Sequence, residues 1–92
     1  MFWPNPKDPD VSDRYGITVD DTEWLQGEAI INAIFIPTVE SELVVSERII
    51  EGNQVSYLFT GGVEGMHSID IRIETPTRQR EYCAVLWVKQ AC

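Results

Sequence analysis

From Tyr15 onward, apolar residues recur at every second position in short runs, and turn-forming residues interrupt each run before it can lengthen. That rhythm limits the chain to an all-β design. A period of two places one set of side chains on each face of a strand, and no stretch carries the 3.6-residue period of a long helix. Tyr15, Ile17 and Val19 share one side of a first strand. "DDTEWLQG" interrupts the pattern as a single helical turn: Asp21 can cap it, Glu23 suits its positive end and Gly27 can close it. "EAIINAIFIP" places Ala29, Ile31, Ala33 and Phe35 on one face but Ile30, Ile34 and Ile36 on the other, so both faces are apolar.

"LVVSERII" and "QVSYLFT", separated by "EGN", form a hairpin, because Gly52 and Asn53 both tolerate the positive φ of a tight turn. Val55, Tyr57 and Phe59 then face the core. Further on, Ile69, Ile71 and Ile73 alternate with Asp70, Arg72 and Glu74, a strand with one wet face. "TPTRQ" turns the chain into "REYCAVLWVK", whose faces are Tyr82, Ala84, Leu86 and Val88 against Cys83, Val85 and Trp87. Short strands at roughly eight- to twelve-residue spacing predict an immunoglobulin-like antiparallel β-sandwich over residues 15–92. The Cys, Trp and Cys spacing of antibody domains is absent, so the likeness is one of architecture. Residues 1–14, with Pro4, Pro6 and Pro9 among Asp8, Asp10 and Asp13, read as an extended Pro-rich N-terminal arm without ladder or helix of its own.

A chain of 92 residues has material for one core, and 43% hydrophobic with 24% charged residues is the composition of a folded globule. The formal charge of -8 argues against nucleic acid and anionic membrane surfaces, both of which are held by Lys and Arg. No apolar run approaches the ~20 residues that span a bilayer. "MFWPNPKDPD" has no basic start followed by a long apolar run, so a cytosolic origin is expected, with Cys83 and Cys92 as thiols there.

Three features invite chemistry. Gly61, Gly62 and Gly65 resemble a phosphate-cradling loop, but such a loop leads into a helix and uses a Lys, whereas this one leads into an alternating strand; the glycines, like Gly52, are read as turn formers. Asp8, Asp10 and Asp13 lack the glycine and closing glutamate of a calcium loop and suit Asx turns. His67, the single histidine, has no evident nucleophile or acid partner, and one His with two Cys is too few for a structural zinc site. No catalytic residue, cofactor or metal is assigned.

The outward faces are more telling. Ile34, Ile36, Val85 and Trp87 fall on faces that a sandwich turns to solvent, and contiguous apolar surface on a small protein marks contact with another chain. Phe2 and Trp3 on the polar arm also need a place to dock, either over those faces on their own domain or on a neighbouring subunit. The interface candidates are therefore Phe2, Trp3, Ile34, Ile36, Val85 and Trp87, in a homo-oligomer that could close into a ring. A rival is a monomeric module that binds a sugar or peptide on loops at one end, with Tyr15, Trp24 and His67 as lining.

The order "NPKDPD", Tyr15, "WLQGEAI" with Leu25, Gly27 and Glu28, "TGG", Gly65, "RIET" and a closing strand resembles the bacteriophage fibre-tail adaptor family. The chain departs from the family pattern at Glu28, where an aspartate is expected, and at "TPTRQRE", where a glycine-arginine turn is expected. The resemblance implies a structural role in the virion. It suggests an immunoglobulin-like domain, assembled in the host bacterial cytoplasm, that joins tail or neck proteins to fibres or neighbouring rings and has no catalytic residue.

Overall fold

A computed structural model describes residues 2–20 and 22–90. The chain runs through β1 (Ser12–Thr18), a helical turn α1 (Thr22–Leu25), β2 (Asn32–Pro37), a 3₁₀ turn (Val39–Ser41), β3 (Leu43–Glu51), β4 (Gln54–Gly61), β5 (Gly65–Glu74) and β6 (Gln79–Val88). The strands form two antiparallel three-stranded sheets, ordered β1-β4-β3 and β2-β5-β6. The alternation decides which side of each sheet is inside. Ile17, Val55 and Phe59 of one sheet and Ala33, Phe35, Ile69, Ile71, Ile73, Ala84, Leu86 and Val88 of the other are buried in one core between them. Tyr57 ties the layers together, donating its hydroxyl to Ala33 O at 2.6 Å while its ring packs 4.9 Å from that of Phe35.

Local chemistry accounts for the connections. Gly52 takes φ 61 in the two-residue turn between β3 and β4. Asn53 serves differently from the expectation of a second positive φ: its backbone and side chain both pair with Val19, through Val19 N to Asn53 O (2.8 Å) and Asn53 Nδ2 to Val19 O (3.0 Å). Gly27, at φ 79, closes α1, and the expected cap at Asp21 lies outside the described residues.

Two strands depart from simple alternation. In the segment before β2, Ile30 is buried and Ile31 is exposed, the reverse of the sequence reading, because regular pairing begins only at Asn32 and the chain changes parity on entering it. In β3 the register shifts between Ser46 and Ile49, with Glu47 at φ 50. This bulge sets two residues against one and resets the faces, so Ile50 turns inward opposite Val55 while Ile49 turns out.

The largest difference concerns the arm. Residues 2–7 lie along the free edge of β6 as two parallel bridges, Phe2 with Val85 and Lys7 with Val88. Trp3 N donates to Val85 O (3.2 Å), Lys7 N to Trp87 O (2.8 Å) and Lys89 N to Lys7 O (2.9 Å). Alternation along the arm then points Trp3 into the sandwich and Phe2 out. Trp3, 8% exposed, packs its ring among Tyr15, Phe35 and Phe59 at centroid distances of 5.4, 6.3 and 5.9 Å, and its Nε1 donates to Gly16 O at 3.0 Å. Within this chain Trp3 is thus a core residue of its own sandwich. Trp3→Ala removes this plug from between the sheets and is expected to cost about 3–5 kcal/mol, a loss that differential scanning calorimetry reads as a large drop in Tm, whereas Phe2→Ala leaves Tm nearly unchanged.

Candidate functional site

With Trp3 taken into the core, the outward face of the β2-β5-β6 sheet carries the remaining interface candidates. Strand register assigns its rows: Ile34 beside Arg72 and Glu81, Ile36 beside Asp70 and Cys83, Ser68 beside Val85, and Met66 beside Trp87. Phe2, bridged to Val85 from the arm, extends this surface past the β6 edge and is 48% exposed. Val85, Trp87 and Ile34 are half-buried and Ile36 is exposed. The structure therefore brings Phe2, Val85 and Trp87 together at one end of the face, and sets Ile34 and Ile36 across the sheet, separated from them by the β5 side chains.

Met66, 58% exposed and directly opposite Trp87, belongs to the same patch and was missed in the sequence. It shares parity with Asp70 and Arg72, so it reads as part of a wet face; only the pairing with β6 sets it beside an indole. Lys89 Nζ lies 4.9 Å above the Trp87 ring, a cation–π contact at the border of the patch. Arg72 and Glu81 pair across the strands at 3.2 Å farther along the face, in the row of Ile34, an exposed ion pair of small energetic weight.

The glycine loop proves to be an acceptor rather than a donor site. Gly61, Gly62 and Gly65 all take positive φ (75, 111 and 135), as reversing the chain between β4 and β5 requires. At Gly62 a Cβ would fall 2.8 Å from Leu43 Cδ2 and 3.2 Å from Val88 Cγ2, so a side chain would push both tips aside and would strain the backbone at φ 111. The loop's polar partner is the Lys7 ammonium. Lys7 is fully buried, and its Nζ donates to Gly61 O (2.6 Å) and Asp8 O (2.9 Å), stitching arm to loop. An anion cradle presents N–H groups; here a carbonyl points at a cation. Lys7 carried no signal in the sequence, where it stands among prolines and aspartates as an ordinary solvated lysine.

Asp8 Oδ1 accepts Asp10 N at 2.8 Å, the Asx turn expected of this segment, and no group of three or more His, Cys, Asp or Glu among the described residues could hold a metal ion. The three residues of the rival site do not share an end. Tyr15 faces the core and donates its hydroxyl to Asn5 O (3.0 Å). Trp24, on α1, has its carbonyl bonded by Arg78 beside the β5–β6 turn. His67 lies near the other end of β5, its ring bonded to Val63 O at 2.6 Å. Cys83 is exposed on the outer face, and Cys92 lies outside the described residues.

Sheet, arm and outer patch define a class: a small two-sheet β-sandwich protein with an apolar patch on one outer sheet face. The family follows from comparison. Residues 7–89 match the family described as podophage GP4 fiber-tail adaptor protein gp77, and the chain belongs to that family. The matched span opens on Lys7 and closes on Lys89, the pair whose backbones bond at 2.9 Å. No curated protein and no solved structure matches the chain.

Burial holds the Lys7 pKa below its ordinary 10.5, while Asp13, Asp8 and Asp10 pull it back up. Below 10.5 there is accordingly a pH window in which the unfolded chain still binds the proton and the native chain has begun to release it, so Lys7 makes stability rise with pH there. Burial and then Asp13 raise Tyr15 above 10.0, with the opposite effect: the native state keeps a proton that the unfolded chain has lost, and stability falls past that pH. Lys7→Met leaves two part-buried carbonyls without their donor and is expected to cost about 2 kcal/mol near neutral pH. In urea melts the stability gap between wild type and variant should widen as pH rises toward 10.5, because only the wild type gains there, and a flat gap would exclude a titrating Lys7.

Proposed function

We propose that the protein is a non-enzymatic structural adaptor of a podophage virion that joins tail or neck components to fibres by packing the outer face of its β2-β5-β6 sheet against another protein. The observation that carries this is the contiguous patch of Phe2, Met66, Val85 and Trp87 on that face, in a chain of the fibre-tail adaptor family. Aromatic side chains at the centre of an interface supply a disproportionate share of its energy, and a sheet holds them in place before binding. Association of copies through the same face, in a homo-oligomer or ring, is the form this contact takes if the partner is another subunit. The net charge of -8 keeps the protein off packaged nucleic acid and off anionic membranes. Assembly in the host bacterial cytoplasm places the two cysteines in a reducing compartment until the virion is complete.

We also infer that the sandwich is immunoglobulin-like. The order β1-β4-β3 facing β2-β5-β6 corresponds to strands B-E-D and C-F-G of that fold, and the Pro-rich arm then takes the place of the first strand on the edge of the last. In this reading the arm completes the domain and at the same time carries Phe2 onto the binding face.

Trp87→Glu tests the interface. The variant should keep the wild-type circular dichroism spectrum and melt as a folded monomer, yet fail to enter the complex with tail and fibre proteins. Wild-type assembly of the variant by multi-angle light scattering would remove Trp87 from the interface.

A further inference from the structure

Val39 lies outside the sheet strands, on the connection that follows β2. It is 91% exposed, the most open of the large apolar side chains described, and it opens the 3₁₀ turn Val39–Ser41 between β2 and β3. That turn is fixed from several sides. Ser41 is fully buried; its N–H and hydroxyl both donate to Thr38 O (3.1 and 2.6 Å), its Oγ accepts from Leu43 N (3.2 Å), and its carbonyl accepts from Val63 N (2.8 Å). Glu42 closes the turn at φ 55 and donates its N–H to Val39 O (3.3 Å). A non-glycine residue in the left-handed region is strained and persists only where its surroundings impose it. Here they impose it on a turn that holds an apolar side chain in water.

The neighbouring loop repeats the pattern. Val63 is 43% exposed, bonded by its N–H to Ser41 and by its carbonyl to the His67 ring. Lys7 Nζ links the same loop, through Gly61 O, to the arm turn at Asp8. Three connections at one end of the sandwich are thus tied together. The charges along them have one sign: Glu40 and Glu42 follow Val39, Glu64 follows Val63, and Asp8 and Asp10 lie on the arm turn. Of the nearby cations, Lys7 is buried against carbonyls and Lys89 lies over the Trp87 ring.

We propose that this loop end is a second docking surface, where Val39 and Val63 enter an apolar pocket on a partner protein whose rim is basic. Charge complementarity selects that occupant: Glu40, Glu42 and Glu64 beside the two valines in the chain, with Asp8 and Asp10 on the arm turn that Lys7 ties to the loop, attract a Lys- and Arg-rimmed pocket, whereas a second copy of this chain, with fifteen acidic residues against seven basic, presents like charge. The proposal rests on the adaptor reading, since an adaptor joins two components and the sheet face supplies one contact. A preset turn lowers the ordering cost of binding, which gives the strained Glu42 its role.

The test measures binding of the full chain to each purified tail, neck and fibre protein of its virion by biolayer interferometry, for wild type, Val39→Asp, Glu40→Lys and Trp87→Glu. Both loop-end side chains are exposed, so Val39→Asp and Glu40→Lys should melt like wild type. Val39→Asp is expected to weaken one partner at least about tenfold and leave untouched the partner lost in Trp87→Glu. Glu40→Lys should weaken the Val39-dependent partner alone, and raising NaCl from about 50 to about 500 mM should weaken that complex by about tenfold or more. If Trp87→Glu loses a partner while Val39→Asp binds every protein within about twofold of wild type, the loop-end proposal is overturned and the sheet-face reading stands. If both variants lose the same single partner, the two patches are one interface and the proposal is again overturned. Unimpaired Trp87→Glu beside an impaired Val39→Asp would overturn the sheet-face reading instead.

Discussion

Insertion of the Trp3 indole between the two sheets is the contact on which the rest of the structure depends. With three strands to a sheet, the sandwich is thin, and the edge of β6 that the arm covers would otherwise leave the aromatic cluster of Tyr15, Phe35 and Phe59 open on one side. The ring fills that gap with apolar area while its single donor finds Gly16 O, so nothing polar is left unpaired. Backbone bonds from Trp3 and Lys7 to β6 then pin a proline-rich segment along that edge through two isolated bridges, in the place an edge strand would take. Proline is tolerated there because an edge strand needs its N–H groups on one side only. The same pairing fixes which side chains remain outside, and Phe2 reaches the outer patch because Trp3 points the other way.

Lys7 is the polar counterpart of Trp3. A buried ammonium is expensive unless its donors are satisfied, and here two carbonyls, Asp8 O and Gly61 O, provide for it with three aspartates nearby. The glycine cluster therefore does more than reverse the chain. Its positive φ values bring Gly61 O toward the arm, and the bare Gly62 Cα lets Leu43 and Val88 close over the end of the core. Arm, loop and last strand are in this way connected through one side chain, and both proposed docking surfaces are built on that frame.

Much of the architecture was legible in the sequence. The inward faces of β4 and β5 follow directly from alternation, since a period-two pattern has only one way to bury Ile69, Ile71 and Ile73, whereas β6 is apolar on both faces and its pairing with β5 decides that Ala84, Leu86 and Val88 turn inward. The glycine positions and the single helical turn were readable from backbone sterics alone. The bulge in β3 and the parity change before β2 were not, because each depends on which partner strand a residue meets rather than on the residue itself. The same limit explains the site. Ile36, Val85 and Trp87 stood out as apolar residues on an outward face, but Met66 gained significance only through its register with Trp87, and Val39 only through the turn that lifts it into water.

The sequence by itself determined the class of the molecule: a small acidic all-β chain, its family, and strands whose core faces are written in alternating apolar residues. The tertiary structure decided the fate of the arm. An aromatic on a polar, proline-rich segment is equally suited to its own core or to a neighbour's, because the free energy of burying an indole depends on the cavity that receives it and not on the residues beside it in the chain. Only the packed sandwich, with an indole-sized gap between Tyr15, Phe35 and Phe59 and an open edge on β6, sends Trp3 inward, leaves Phe2 outside and places Lys7 against Gly61.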